Sequence, residues 1–195
     1  MPARRLLAAA AAVAAALPAT AALAAAPTRV ARVSPFTRSG QVRPGLRVVT
    51  TKPGTCLPSS EAVPGAFRCF SDSNAVLDPC WKHGAHAVLC LPSPWARAAT
   101  RMHVRGRLGR PAKGTAALPW GLRLRDGERC LLLQGASDVL RGRRINYACT
   151  RTRFLAGRPD RRRAVWRIRG ARMTPAGHFV AAGTARIAIV YFGRP

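Results

Sequence analysis

Acidic residues are scarce in this 195-residue sequence, in which seven Asp and Glu stand against 33 Lys and Arg, for a formal net charge of +26. Lysine is scarce too, since only three of the basic residues are lysine and the rest are arginine. A GC-rich genome explains arginine in place of lysine, but it does not explain the shortage of acids. The charge therefore indicates an anionic partner as one hypothesis.

Long apolar runs are missing apart from one near the start. Arg4 and Arg5 precede an apolar run at residues 6–17 and a small-residue stretch that reaches Ala26. This order predicts a signal peptide over residues 1–24, cut between Ala24 and Ala25. The run is shorter than the roughly 20 apolar residues that a membrane span requires, so we expect an exported protein without a transmembrane segment. Sec export is favoured, although the two arginines leave a twin-arginine signal open.

Catalytic motifs are also missing. There is no G-x-S-x-G motif, and a triad of Ser137, His178 and an Asp would have no support from spacing. A two-carboxylate hydrolase would have to use the seven acids, Glu61, Asp72, Asp78, Asp126, Glu128, Asp138 and Asp160. Most of these acids lie in predicted turns. We therefore assign no catalytic residue, and a secreted hydrolase acting on cell-wall material stays as the alternative function.

A sustained helical apolar stripe is absent, and short runs of β type are separated by Gly, Pro and Asp. Leu122 and Leu124 alternate with arginines before Asp126-Gly127, which predicts a two-residue hairpin turn. Other predicted strands span residues 46–50, 101–105, 165–169 and 185–192. The pattern indicates a mainly β fold with little helix, a small antiparallel sheet, sandwich or barrel-like domain over residues 45–195. Residues 25–44 lack apolar periodicity and are predicted to form a flexible lead-in.

Six cysteines lie beyond the predicted signal peptide, an even number in a compartment that oxidises thiols. Six cysteines allow fifteen pairings, which sequence alone cannot separate. The spacing favours three local disulfides, Cys56–Cys69, Cys80–Cys90 and Cys130–Cys149. The competing interpretation is a structural metal held by Cys80, His83, His86 and Cys90, at C-x2-H-x2-H-x3-C. Disulfides are favoured, and no metal or cofactor is expected.

Several landmarks follow one another in order: Gly54-x-Cys56, Phe67-Arg-Cys69, Asp78-Pro-Cys80-Trp81, Cys90 with Pro94-Trp95, Trp120-Gly-Leu-Arg-Leu-x-Asp-Gly-x-Arg-Cys130, Asn146-Tyr147-x-Cys149 and Pro159-Asp160. From residue 46 to residue 192 the chain resembles a family of secreted actinobacterial proteins of unknown function. The resemblance implies export and a six-cysteine domain, but it carries no activity. The four tryptophans, Trp81, Trp95, Trp120 and Trp166, are expected to be core anchors before they are carbohydrate platforms.

Arginines concentrate in the second half, where residues 97–172 hold 20 Arg and one Lys against four acids. Arginine binds phosphate and carboxylate groups through two parallel contacts. Candidate anion-binding residues are Arg141, Arg143, Arg144, Arg161, Arg162, Arg163, Arg167 and Arg169. The sequence thus predicts a monomeric, non-catalytic binder of anionic envelope polymers or lipid head groups, which is secreted and associated with the cell wall. Nucleic acid is not the expected partner, because export removes the protein from it. Charge that serves only solubility is the other interpretation.

Overall fold

The computed structural model describes residues 26–114, 118–135 and 137–194. The predicted signal peptide at residues 1–24 and its predicted cleavage site, between Ala24 and Ala25, both lie outside these residues. Within the described residues, regular structure consists of β-strands and includes no helix. The strands are β1 (Arg29–Val33), β2 (Arg47–Thr50), β3 (Gly54–Leu57), β4 (Phe67–Ser71), β5 (Val76–Lys82), β6 (Ala87–Cys90), β7 (Ala98–His103), β8 (Gly121–Leu124), β9 (Arg129–Leu132), β10 (Val139–Leu140), β11 (Arg143–Cys149), β12 (Arg153–Asp160), β13 (Arg167–Met173) and β14 (Phe179–Gly193).

Six strands of the second half form a closed barrel. They pair in the order β8-β9-β11-β12-β13-β14, and β14 pairs back to β8. Closure depends on the length of β14, whose first half pairs with β13 and whose residues 187–191 pair with β8. The apolar sequence at the end of β14 predicts such a central strand, since both of its faces and both of its edges are used. Buried Leu122, Leu155 and Ile187 belong to the main core.

A second sheet of six strands has the order β2-β7-β6-β5-β4-β3. Both faces of this sheet are apolar, and neighbouring residues in a strand point to opposite faces. Cys80 and Val88 belong to a core formed by this sheet alone. Trp81 and Leu89, which are paired across β5 and β6, join the main core with Trp120 of the barrel side. The Trp81 and Trp120 rings lie 5.9 Å apart, so these two tryptophans connect the sheet to the barrel.

The β8–β9 hairpin lies where the sequence predicts it, but its turn differs from the two-residue type. Leu124 N–H donates to the Glu128 carbonyl at 2.8 Å, which leaves a three-residue loop. Gly127 has a φ of 86°. Asp126 does not share a positive φ, as a type I′ turn would require, so the loop is the three-residue kind with glycine in the left-handed position.

The structure differs from the predicted flexible lead-in over residues 25–44. Residues 29–33 form β1, which pairs in parallel with the end of β14. Phe36 and Val42 form a bridge, and Val33 is buried in the main core. The pattern misses β1 because its partner strand lies more than 150 residues later in the chain, and an edge strand needs little apolar periodicity of its own. The predicted strands at 101–105 and 165–169 are also displaced, to β7 and β13.

The mainly β fold with three disulfides is confirmed. The bonds join Cys56 to Cys69, Cys80 to Cys90 and Cys130 to Cys149. Each bond links residues that lie directly opposite each other on adjacent antiparallel strands. None of the described cysteines is free. Such bonds are consistent with a protein that folds outside the reducing cytoplasm.

Candidate functional site

Five arginines converge on one cleft on the outside of the barrel. The cleft, of about 330 Å³, crosses β11 to β14 and includes a single carboxylate, Asp160. We call it the arginine cleft. Its cationic residues are Arg143, Arg158, Arg162, Arg167 and Arg169. All five are exposed to solvent.

Strand pairing aligns the central arginines of the cleft. Arg167 lies opposite Arg186 of β14, and Arg169 lies opposite Thr184. Residues directly opposite each other in an antiparallel pair point to the same face. Ile168, between the two arginines, is buried in the main core. The alternation of arginine with Trp166 and Ile168 in the sequence therefore places Arg167 and Arg169 on the outer face.

An irregularity in β12 positions a third arginine. The register between β12 and β13 shifts between Ala156 and Asp160, and Gly157 lies within this bulge with a φ of 74°. A Cβ atom on Gly157 would lie 3.3 Å from Cδ of Arg143, so the arginine side chain runs over the glycine. Asn146 Nδ2 donates to the Gly157 carbonyl at 2.9 Å. The bulge thus places Gly157, which has no side chain, next to the Arg143 side chain.

Only one of the five arginines has a carboxylate partner among the described residues. Arg162 donates to Asp160 from Nε at 3.0 Å and from Nη2 at 2.9 Å. These bonds lower the pKa of Asp160 to about 2, so the carboxylate stays ionised at any physiological pH. The ion pairs of the described residues use Arg68, Arg105, Arg153 and Arg162. The remaining cleft arginines, Arg143, Arg158, Arg167 and Arg169, form no ion pair with a described carboxylate, although Asp160 lies opposite Arg167 in the strand pairing.

Four of the eight predicted anion-binding residues lie elsewhere. Arg161 stacks 4.8 Å from the Trp166 ring, and Arg144 donates to Ser137 Oγ at 2.8 Å. Arg141 occupies the β10–β11 turn with a φ of 48°, and Arg163 is exposed in the turn before β13. The predicted set covers the right segments of the chain, but of its members only Arg143, Arg162, Arg167 and Arg169 line the cleft.

Two arginines of this surface were absent from the predicted set. Arg158 lies in the bulge of β12, two residues before Asp160, and Arg186 lies directly across from Arg167. For Arg158, the sequence signal is its position two residues before Asp160. Arg186 carries no such signal, because its position depends on the pairing of two strands.

The acids required for a hydrolase are engaged in structural contacts. Six of the seven are held by hydrogen bonds or ion pairs: Glu61, Asp72, Asp78, Asp126, Glu128 and Asp160. Arg153 contacts both Asp126 and Glu128, at 2.8 and 3.3 Å. Burial raises the pKa of Asp126, but the Glu128 N–H and Arg153 outweigh it and keep the pKa below its ordinary value. Asp126, whose pKa is lowered, is therefore not suited to act as a general acid.

The alternative metal site lacks its two cysteines, because Cys80 and Cys90 form a disulfide. His86 Nδ1 lies 2.8 Å from the Gly106 carbonyl, and the His83 ring lies 5.6 Å from Phe36. The sulfur atoms of Cys69, Cys80 and Cys90 lie within 4.8 Å of one another. All of them are oxidised, so this cluster is two neighbouring disulfides packed inside the second sheet.

Comparison with protein-family models, with curated proteins and with solved structures finds no match for the chain. In the part of the chain that the structure describes, no helix is both long and apolar enough to cross a membrane.

Proposed function

We propose that the protein is a secreted, non-catalytic binding protein that holds an anionic polymer of the cell envelope in its arginine cleft. The single observation that carries the proposal is the set of four cleft arginines that form no ion pair with a described carboxylate. Exposed like charges on adjacent strands repel one another. A bound phosphate or carboxylate removes this repulsion and forms charge-assisted hydrogen bonds with the same side chains.

A repeating anion suits this cleft better than a single one. Arg167 and Arg169 are separated by one residue on the same face of β13, which places their Cα atoms about 7 Å apart at the usual rise of a strand. Arg143 and Arg158 reach the same cleft from β11 and β12. Each guanidinium can hold one anionic group through two contacts, so a short stretch of a polymer would occupy several of them.

Location outside the cytoplasm is part of the proposal. The predicted signal peptide, the three disulfides and the resemblance to secreted actinobacterial proteins all support it. Phosphate-containing and uronic polymers of the wall, together with anionic lipid head groups, are the anions available there. We favour the polymer, because the aligned arginines match a linear repeat.

The test is sedimentation of the oxidised mature protein with purified cell walls over a salt series. The variant is Arg143→Gln/Arg167→Gln/Arg169→Gln. The matched control, Arg38→Gln/Arg47→Gln/Arg107→Gln, removes the same charge from exposed positions outside the cleft. We expect the cleft variant to lose affinity and to reduce the slope of log affinity against log salt by about one unit for each lost contact.

The control variant should lose much less affinity and keep most of its salt slope. Equal losses in the two variants would mean that the charge acts diffusely, and the cleft would not be the site. Anionic liposomes in a parallel series separate lipid head groups from wall polymers. Release of soluble fragments from the walls by the wild-type protein would replace the binding function with the hydrolase alternative.

A further inference from the structure

We infer that a second site, separate from the arginine cleft, binds an anionic amphiphile, with an apolar chain and a phosphate or carboxylate head. The site is a cavity of about 650 Å³ between β1, the end of β14, the turn at residues 63–66 and the segment at residues 110–114. Its lining consists of Arg32, Pro64, Gly65, Arg110, Pro111, Lys113, Gly114, Phe192 and Gly193. The cavity is open to solvent, and its volume falls within the range of small-ligand pockets.

One wall of the cavity is apolar and firmly held. Pro64, Pro111 and Phe192 supply its apolar side chains. Gly193 lets the wall form, because a Cβ atom there would run into the side chain of buried Val63. The Gly65 N–H donates to the carbonyl of residue 112 at 3.3 Å, which ties the turn to the other side of the cavity.

The cations of this cavity come from two separate segments. Arg32 lies beside Phe192 in the parallel pairing of β1 with β14, and Arg110 and Lys113 lie on the segment after β7. All three are exposed, and none of them forms an ion pair with a described residue. The apolar wall therefore borders three positive charges that no carboxylate of the described chain neutralises.

This combination differs from the arginine cleft, whose lining is dominated by guanidinium groups. A linear polyanion would gain nothing from Pro64, Pro111 and Phe192, and a neutral apolar ligand would leave the three cations unused. An amphiphile with one anionic end satisfies both parts, since its chain is removed from water at the wall while its head contacts the cations. Charge complementarity thus defines the ligand class.

The experiment uses the oxidised mature protein and dansyl-aminoundecanoic acid, whose fluorescence rises in an apolar site. Dodecanoate and dodecyl phosphate should displace the probe, whereas dodecanol at the same concentration and inorganic phosphate alone should not. Arg32→Gln/Lys113→Gln should lower the affinity for the anionic probe by about tenfold or more. The control Arg38→Gln/Arg107→Gln, with the same loss of charge, should bind as the wild type does.

Gly114→Leu adds an apolar side chain to the lining of the cavity. Gly114 does not require a positive φ, and its Cβ would lie 3.6 Å from Cβ of Pro64, which is an ordinary contact. We expect this variant to fold normally by near-ultraviolet circular dichroism and to lose the probe. The inference is overturned if binding does not saturate below micelle formation, if dodecanol competes as well as dodecyl phosphate, or if Gly114→Leu binds unchanged. The arginine-cleft variant should keep full probe binding, which separates this inference from the proposed function.

Discussion

Asp78 gives the sharpest test of the energetics of this fold. It lies on β5 with only 7% of its surface exposed. Its carboxylate accepts hydrogen bonds from Ser60 Oγ and from the Glu61 N–H, the latter at 3.0 Å. Burial raises the pKa of Asp78 from 3.8 to about 6, although the Ser60 hydrogen bond and the charge of Arg68 act in the opposite direction. The folded protein therefore binds the Asp78 proton more tightly than the unfolded chain does.

The sign of the effect follows from this difference. Between pH 4 and pH 6 the carboxyl is protonated in the folded state and ionised in the unfolded state. The free energy of unfolding therefore decreases as the pH rises through this range and levels off above it. A shift from 3.8 to about 6 corresponds to about 3 kcal/mol, an order-of-magnitude value. The contribution of Asp78 to stability is thus larger at pH 4 than at pH 7.

Asp78→Asn removes the titration while it preserves the shape of the side chain. The amide oxygen can accept only part of what the carboxylate accepts, so the weakened hydrogen bonds should contribute a constant loss of about 1–3 kcal/mol, to which the pH-dependent term of the wild-type carboxyl is added. The measurement is urea unfolding of wild type and variant from pH 4 to pH 8 at constant ionic strength. The difference between the two free energies should change by about 3 kcal/mol across this range.

Asp160→Asn is the matched control, because it removes the same charge from a carboxyl whose pKa lies near 2. Its difference from wild type should stay constant from pH 4 to pH 8. If the Asp78→Asn difference is also constant over this range, then Asp78 ionises at its ordinary pKa, and the argument from burial is wrong.

Two further predictions concern the strands. Cys130→Ala/Cys149→Ala opens a loop with a sequence separation of 19, and chain entropy predicts a loss of about 3 kcal/mol in the free energy of unfolding; a loss below about 1 kcal/mol in urea unfolding would contradict this. Gly54→Ala would push a Cβ atom into the carbonyl of Phe70 and should destabilise the protein by about 1–3 kcal/mol, whereas the same change at Gly109, which has open space, should alter the thermal midpoint little. Equal shifts for the two glycines would refute the packing argument.

The parts of the fold that the sequence predicts are those with a local signal. Alternation places Arg167 and Arg169 outward and Ile168 inward, as the structure has them. The apolar run that ends β14 predicts a central strand, because residues that are buried on both faces need partners on both edges. The disulfide pairs follow from short spacing, since hairpin strands bring nearby cysteines opposite each other.

The parts that could not be predicted depend on contacts between distant segments. β1 exists because the end of β14 offers it a free edge, and nothing near Arg29 reveals that edge. The arginine cleft depends on a bulge at Gly157, which brings Arg158 toward Arg143. Runs of arginine in the sequence identify the charge, but strand register decides which side chains share a surface.

Three pairs of arginines lie directly opposite each other in the barrel, and they differ in their contacts with carboxylates. Arg153 faces Arg172 across β12 and β13, and Asp126 and Glu128 both contact Arg153. Arg167 faces Arg186 across β13 and β14, with Asp160 opposite Arg167 on its other side, and Arg123 faces Arg129 across β8 and β9. None of these four arginines forms an ion pair among the described residues. Like charges directly opposite each other destabilise a sheet.

A surface that served only solubility could distribute its arginines over the barrel and avoid this cost. The fold gives one such pair ion pairs with its scarce carboxylates and leaves the other two without any, one of them at the edge of the arginine cleft. With only seven acids in the chain, the choice of which arginines remain unpaired is a property of the strand register. That register places one unpaired arginine pair beside the other cleft arginines, where the proposed anionic ligand would contact them.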